Sequence, residues 1–263
     1  MELYLITGFL GAGKTTFLKN FARQFAGRRL RLIINEFGRV GVDGTLLREL
    51  DAALDEISNG SIFCACRLDQ FEAALEQAAA DAPDVVLVEA SGLADPTNVR
   101  RVLAQFPAVS YQGSVCVADA ARLEKVFSTA RACPRQLAVS SLVLLNKTDL
   151  ATEAQCAEAK ALILRANPAA RIRRTQFGRF EPEWLSLIVP DVDVDEVLDM
   201  PDITLQKAVL QIRPTMPFAA LQKCLVQLAG ETWRIKGFVR VPEVFQTASW
   251  FVCAIQESTQ RRK

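Results

Sequence analysis

An α/β architecture, a mostly parallel sheet flanked by helices, is predicted by three observations. Apolar runs alternate with amphipathic stretches, as strands and crossover helices do. The runs are nearly continuous in Val, Leu and Ile, the mark of strands buried on both faces. A glycine-rich segment lies between the first run and the first amphipathic stretch, where this layer type places a ligand-binding loop.

Taken in order, the predicted strands are Leu3 to Thr7, Leu30 to Asn35, Val85 to Glu89, Ser114 to Ala118 and Leu142 to Asn146. Helices are predicted at Lys14 to Phe25, where Phe17, Leu18, Phe21 and Phe25 recur at helical spacing, and at Leu68 to Ala80, Asn98 to Phe106, Ala121 to Ala132 and Glu153 to Ala166. A strand at Arg171 to Gln176 and a helix near Pro182 to Leu187 close this unit, assigned to residues 1–190. Residues 191–202, acidic and proline-containing, read as a linker. Residues 203–263 read as a small α+β domain, with a strand at Ala208 to Ile212, a helix at Phe218 to Leu228, and strands at Trp233 to Val241 and Phe245 to Ile255. Trp233, Phe245, Trp250 and Phe251 are either its core or a client-binding patch.

The segment after the first strand is Gly8-Phe9-Leu10-Gly11-Ala12-Gly13-Lys14-Thr15-Thr16, a phosphate-binding loop. Its glycines let backbone N–H groups turn toward phosphate oxygens without a Cβ in the way. Lys14 is expected to reach the β and γ phosphates, and Thr15 to hold Mg²⁺ through its hydroxyl. The helix that starts there adds the positive end of its dipole. About 130 residues later the strand Leu142 to Leu145 runs into Asn146-Lys147-Thr148-Asp149. A carboxylate at Asp149 can accept both guanine N1–H and the exocyclic amino group, which selects GTP and GDP over adenine nucleotides and disfavours an ATP-using kinase. A third element, Asp84 to Gly92, is an apolar strand ending in Glu89. Glu89 is expected to hold Mg²⁺, and the Gly92 N–H to sense the γ-phosphate; the alternative is a strand capped by a solvated carboxylate.

Composition excludes several other classes. With 263 residues, half of them apolar, the chain can bury a sizeable core. A net charge of +1 gives no electrostatic reason to expect nucleic acid or an anionic membrane as partner. No 18-residue apolar stretch and no cleavable leader are seen, which predicts a cytoplasmic protein. Seven cysteines, an odd number, argue for reduced thiols. The chain has no histidine, so neither a Ser-His nor a Cys-His hydrolase can be built, and imidazole cannot ligate a metal.

These motifs, together with Asn35-Glu36-Phe37-Gly38, Gly41-Val42-Asp43, Asn59-Gly60, Glu89-Ala90-Ser91-Gly92-Leu93-Ala94-Asp95-Pro96, Asn167-Pro168 and Arg234 to Phe238, resemble the CobW-type family of P-loop GTPases. The resemblance implies a GTPase, slow on its own, whose turnover gates delivery of a metal or metal cofactor to a client metalloprotein or corrinoid protein. It also implies a nucleotide-sensing switch over Glu36 to Asp43, Arg39 included, and leaves a GTP-dependent homodimer open. Relatives carry Cys-x-Cys-Cys directly after Asn-Gly, whereas here Ser61 and Phe63 replace two of those cysteines and Cys64 is followed by Cys66. In an extended segment Cys64 and Cys66 share a face, so they are candidate Zn²⁺ or Co²⁺ ligands, with Glu36 and Asp43 as candidate oxygen donors; a pair of small buried cysteines is the alternative. Arg39 stands where relatives carry an acidic residue and is either a charge-stabilising arginine or a solvated one. Ser140-Ser141 stands where relatives have Ala-Asp. A second functional class, an assembly G protein that docks its client without binding a transition metal, therefore stays beside the metallochaperone reading.

Overall fold

The computed structural model describes residues 1–36, 52–58, 68–190, 217–231, 235–238 and 249–252. The chain folds as two compact units, Met1–Leu205 and Gln206–Lys263.

The first unit is the predicted α/β layer. Its strands are β1 (Glu2–Thr7), β2 (Leu30–Glu36), β3 (Ala53–Ser58), β4 (Val85–Glu89), β5 (Ser110–Asp119), β6 (Leu142–Asn146) and β7 (Arg171–Arg174). They form a sheet in the order β3-β2-β4-β1-β5-β6-β7, and every neighbouring pair is parallel. Helices α1 (Lys14–Ala22), α2 (Leu68–Asp81), α3 (Val99–Leu103), α4 (Leu123–Thr129), α5 (Ala132–Ala138) and α6 (Glu153–Ala166) connect them.

Alternation along each strand explains the apolar runs. Tyr4, Ile6, Leu32, Ile34, Val85 and Leu87 face a core closed by Phe17, Phe21 and Phe25 of α1 and its continuation, with Phe180 and Trp184. Leu3, Leu5, Ile33, Val86 and Val88 face the other core, closed by Phe71 and Leu75 of α2 and Val99 and Val102 of α3. Both sheet faces are covered, as a parallel sheet requires.

Several boundaries differ from the sequence reading. The helix predicted from Ala121 to Ala132 is regular only over Leu123–Thr129, because Ala130 is extended (φ −115°, ψ 110°) and ends α4, and α5, which begins at Ala132, has no counterpart in the sequence reading. Pro134 sits in the first turn of α5, where its missing N–H has no intrahelical partner to lose. The α1 segment ends as a single 3₁₀ turn, Arg23–Phe25, and Pro182–Leu187 is 3₁₀ throughout. The helix predicted from Asn98 to Phe106 is regular only over Val99–Leu103. Strand β5 starts four residues earlier than predicted, at Ser110. The strand β3 has no counterpart in the sequence reading.

In the second unit, α7 (Phe218–Glu231) precedes β8 (Ile235–Phe238) and β9 (Ser249–Val252), which pair antiparallel with Ile235 opposite Val252. These elements fall within the predicted helix-strand-strand order. The predicted linker and the strand at Ala208 to Ile212 lie outside the described residues.

Candidate nucleotide site

Because the seven described strands of the first unit are all parallel, their C-terminal ends share one edge, and the motif residues gather there. The phosphate loop leaves β1 at Gly8, whose φ is +131° and whose absent Cβ would sit 2.2 Å from the Val117 carbonyl oxygen of β5. Ala12 N–H closes a turn on Phe9 O at 3.2 Å, and Phe17 N–H to Gly13 O at 2.9 Å starts α1. Gly13 caps that helix at φ 103°, with no capping side chain and no acidic residue in the first turn, so the N-terminal donors are left for an anion. A Cβ on Gly13 would lie 2.6 Å from Asn146 Nδ2, whereas one on Gly11 would meet nothing within 4 Å. Lys14 is buried, and its ammonium donates to Phe9 O at 3.4 Å. Thr15 and Thr16 are exposed, and the Thr15 hydroxyl donates to Glu89 Oε1 at 3.4 Å. A hydroxyl and a carboxylate oxygen this close are a hard-donor pair suited to Mg²⁺.

The Asn-Lys-Thr-Asp turn is docked onto this loop. Asn146 is buried at the end of β6; its Nδ2 donates to Ala12 O at 2.9 Å, and its Oδ1 accepts from Gly178 N–H at 3.0 Å. Lys147, at φ +61°, sends its ammonium to Gly11 O at 2.6 Å and Asp119 Oδ2 at 2.7 Å. Asp149 lies exposed in the 3₁₀ turn Thr148–Leu150. A loop that the sequence reading missed completes this side. Thr148 N–H and its hydroxyl reach Thr175 O at 3.3 and 3.1 Å, and Asn20 Nδ2 donates to Phe177 O and Gly178 O at 3.1 and 2.9 Å. Phe177 is held at φ 54° with 63% of its surface exposed, a conformation costly for an aromatic residue. The only sequence signal for this loop is the Phe-Gly pair just after β7.

The tip of β4 forms the third wall. Glu89 is buried at its end, and Ala90 N–H donates to Ile6 O at 2.9 Å. Asn35 ties the tip to its neighbours, accepting from Ser91 N–H at 3.2 Å and donating to Ile57 O at 3.1 Å. A Cβ on Gly92 would stand 2.7 Å from Leu10 N, so glycine is required for the strand tip to approach the phosphate loop this closely. Gln136 of α5, also absent from the sequence reading, donates to Gly92 O at 3.2 Å and Ala94 O at 2.9 Å.

Of the proposed metal and switch residues, Glu36 ends β2 opposite Ser58. Its side chain and the residues Arg39, Asp43, Cys64 and Cys66 lie outside the described residues. Among the described residues no group of three or more His, Cys, Asp or Glu is placed to hold a metal ion. The described cysteines of this unit, Cys116, Cys133 and Cys156, are buried. Burial pushes the Cys116 thiol up to about 12 and raises Cys133 as well, against the thiolate a soft metal needs. Ser140 and Ser141 are interior hydrogen-bonding groups: Ser140 donates to Gln136 O at 2.7 Å, and Ser141 accepts from Val189 N–H at 3.1 Å.

Residues 2–174 match the model of the CobW/HypB/UreG nucleotide-binding domain. The chain belongs to the CobW/HypB/UreG family. Among curated CobW-type relatives it is 32% identical over 206 residues to the zinc chaperone CobW of Pseudomonas aeruginosa, covering 65% of this chain and 55% of that protein. It is 26% identical over 226 residues to the zinc chaperone YjiA of Escherichia coli K12, covering 82% and 66%. It thus spans about half to two thirds of the length of these relatives. The Zn(II)-bound YjiA GTPase structure from E. coli superposes with a TM-score of 0.54 at 20% identity over 92% of this chain and 82% of that one. The shared fold is therefore that of a P-loop GTPase of the CobW type. No described helix is long and apolar enough to cross a membrane.

Proposed function

We propose that this chain binds and slowly hydrolyses GTP, and couples that turnover to delivery of a metal or metal cofactor to a client protein. One observation carries the nucleotide half. Asn146 and Lys147 fasten the base-recognition turn to the carbonyls of Ala12 and Gly11, and Asp149 stays exposed for a guanine edge. In this reading the loop N–H groups and the Lys14 ammonium neutralise the phosphate chain, Lys14 exchanging Phe9 O for a phosphate oxygen. Thr15 and Glu89 would hold Mg²⁺, which supplies charge neutralisation on the β and γ phosphates when bound. Gly92 N–H would face the third phosphate. With no histidine in the chain to act as a base, the intrinsic rate is slow and a partner completes the site. The names of the relatives, zinc chaperones, support the metal half, with Cys64, Cys66 and Glu36 as the ligands proposed here and Zn²⁺ or Co²⁺ as the cargo.

Phosphate release from GTP with Mg²⁺, present in the full chain and abolished by Lys14→Ala, is the expected result. Release that survives this substitution, or tighter binding of ATP than of GTP, would sink the nucleotide reading. A second reading is favoured by Ser61 and Phe63, which stand in place of two family cysteines: the chain docks its client without carrying a transition metal. Titration with Zn²⁺ separates the two. A stoichiometric site lost on combined Cys64→Ser and Cys66→Ser replacement supports metal carriage, and its absence supports docking alone.

A further inference from the structure

Gln136 is 1% exposed, and both of its side-chain hydrogen bonds go to carbonyls of the strand-tip loop, Gly92 O and Ala94 O. Its Oε1 is buried and accepts no hydrogen bond among the described residues. Half-satisfied burial of an amide costs stability, so packing alone would favour Leu or Met at this position. The two donated bonds are the feature an apolar residue of the same size cannot supply. The preceding residue, Arg135, pairs with Asp95 of the same loop, and Asp95 in turn accepts from Thr97 N–H and its hydroxyl at 3.1 and 2.8 Å. Two consecutive residues of α5 therefore hold residues 92–95, while Leu10 of the phosphate loop abuts Gly92.

The far end of α5 is fixed as firmly. Asn167 Nδ2 donates to the carbonyls of Leu137, Ala138 and Ser140 at 3.3, 3.2 and 3.0 Å. Directly after that anchor, the chain enters β6 and ends in Asn146. One continuous segment, 135–149, thus grips the strand-tip loop at its start and the phosphate loop at its end. A diphosphate would meet the loop from Gly11 to Thr15, which Gln136 does not touch; only a third phosphate would extend to Gly92.

We propose that Gln136 is a positioning residue for triphosphate recognition, holding Gly92 against the phosphate loop so that its N–H is set for the γ-phosphate. The proposal rests on the guanine-nucleotide reading above. It is tested with the full chain and Mg²⁺ by titrating GDP and a non-hydrolysable GTP analogue against wild type and Gln136→Leu, with single-turnover GTP hydrolysis alongside. GDP affinity is expected to stay within about twofold, while analogue affinity falls about tenfold, ~1.4 kcal/mol, and the hydrolysis step slows with it. Equal losses for both nucleotides, or no loss for either, would overturn it. Asp95→Asn, at a partly exposed position, carries the same test if the buried change prevents folding, with a smaller loss of the same selectivity expected. Wild type that binds neither nucleotide removes the guanine reading itself, an outcome distinct from unselective binding by the variant.

Discussion

Asn146 hydrogen-bonds in two directions, to Ala12 O and from Gly178 N–H, so one buried amide joins the phosphate loop to the 175–179 loop. Its neighbour Asp149 is exposed. The two residues of one tetrapeptide are therefore separable by experiment. Asn146→Ala should lower unfolding free energy by about 2–3 kcal/mol, from two lost bonds and the orphaned Ala12 carbonyl, as read in urea titration. Asp149→Asn should leave that stability unchanged within about 0.5 kcal/mol while moving preference from guanine toward xanthine nucleotides. Unaltered base preference in Asp149→Asn would remove Asp149 from base recognition. Phe177 shows the opposite balance: its backbone conformation is unfavourable and its ring is exposed, and bonds from Asn20, around Thr175 and from Gly178 N–H to Asn146 keep its loop in place.

At the scale of elements, legibility followed burial. Strands β1, β4 and β6 are buried on both faces and announce themselves as apolar runs. The edge strand β3 contains Asp55 and Glu56, and its register depends on a partner in another strand. Arg31, buried within β2, pairs with Asp55 at 2.6 and 2.9 Å and also with Asp81 at the end of α2. A charged residue inside an apolar strand was the available clue, but nothing in the sequence says which carboxylate meets it. Asp55→Ala is expected to cost about 1.5–3 kcal/mol and to raise amide exchange in β3 before the rest of the sheet. The clamp by Gln136 was hidden for the same reason, since its partners are backbone carbonyls that carry no sequence signature. A pH effect belongs to β5. Cys116 is held protonated chiefly by burial, with a hydrogen bond from Thr7 and the nearby Lys14 charge opposing. Its folded pKa of about 12 lies above the ordinary 9.0, so its contribution is complete below pH 9.0 and is lost as pH rises from there through about 12. Stability of the wild type should therefore fall more steeply than that of Cys116→Val across this range, by up to ~1.4 kcal/mol per pH unit. Parallel curves in alkaline urea titrations would refute the assignment.

For the molecule as a whole, the parallel sheet gathers the phosphate loop, the base turn and the strand-tip loop at one edge of the first unit. A ligand seated there contacts the ends of several strands and should stabilise that unit as a body. GDP at about 100 times its Kd is expected to add about 2.7 kcal/mol to its unfolding free energy, seen as a rise in Tm that Lys14→Ala removes. No rise with GDP, in a protein shown to bind it, would mean that the unit's unfolding does not report on the site. The three glycines of the phosphate loop do not answer to the same requirement. Gly8 is demanded by the Val117 carbonyl and Gly13 by the Asn146 amide, both parts of the protein itself, while a Cβ at Gly11 would meet nothing within 4 Å and only its φ of +78° favours glycine there. A descendant released from nucleotide binding would have to keep the first and third glycines to fold. It would be free to drift at Lys14 and Thr15, and at Gly11 only against the strain of a φ of +78°, so retained glycines alone are poor evidence of a living enzyme, and a degenerate lineage should be recognised by which positions it lets go first.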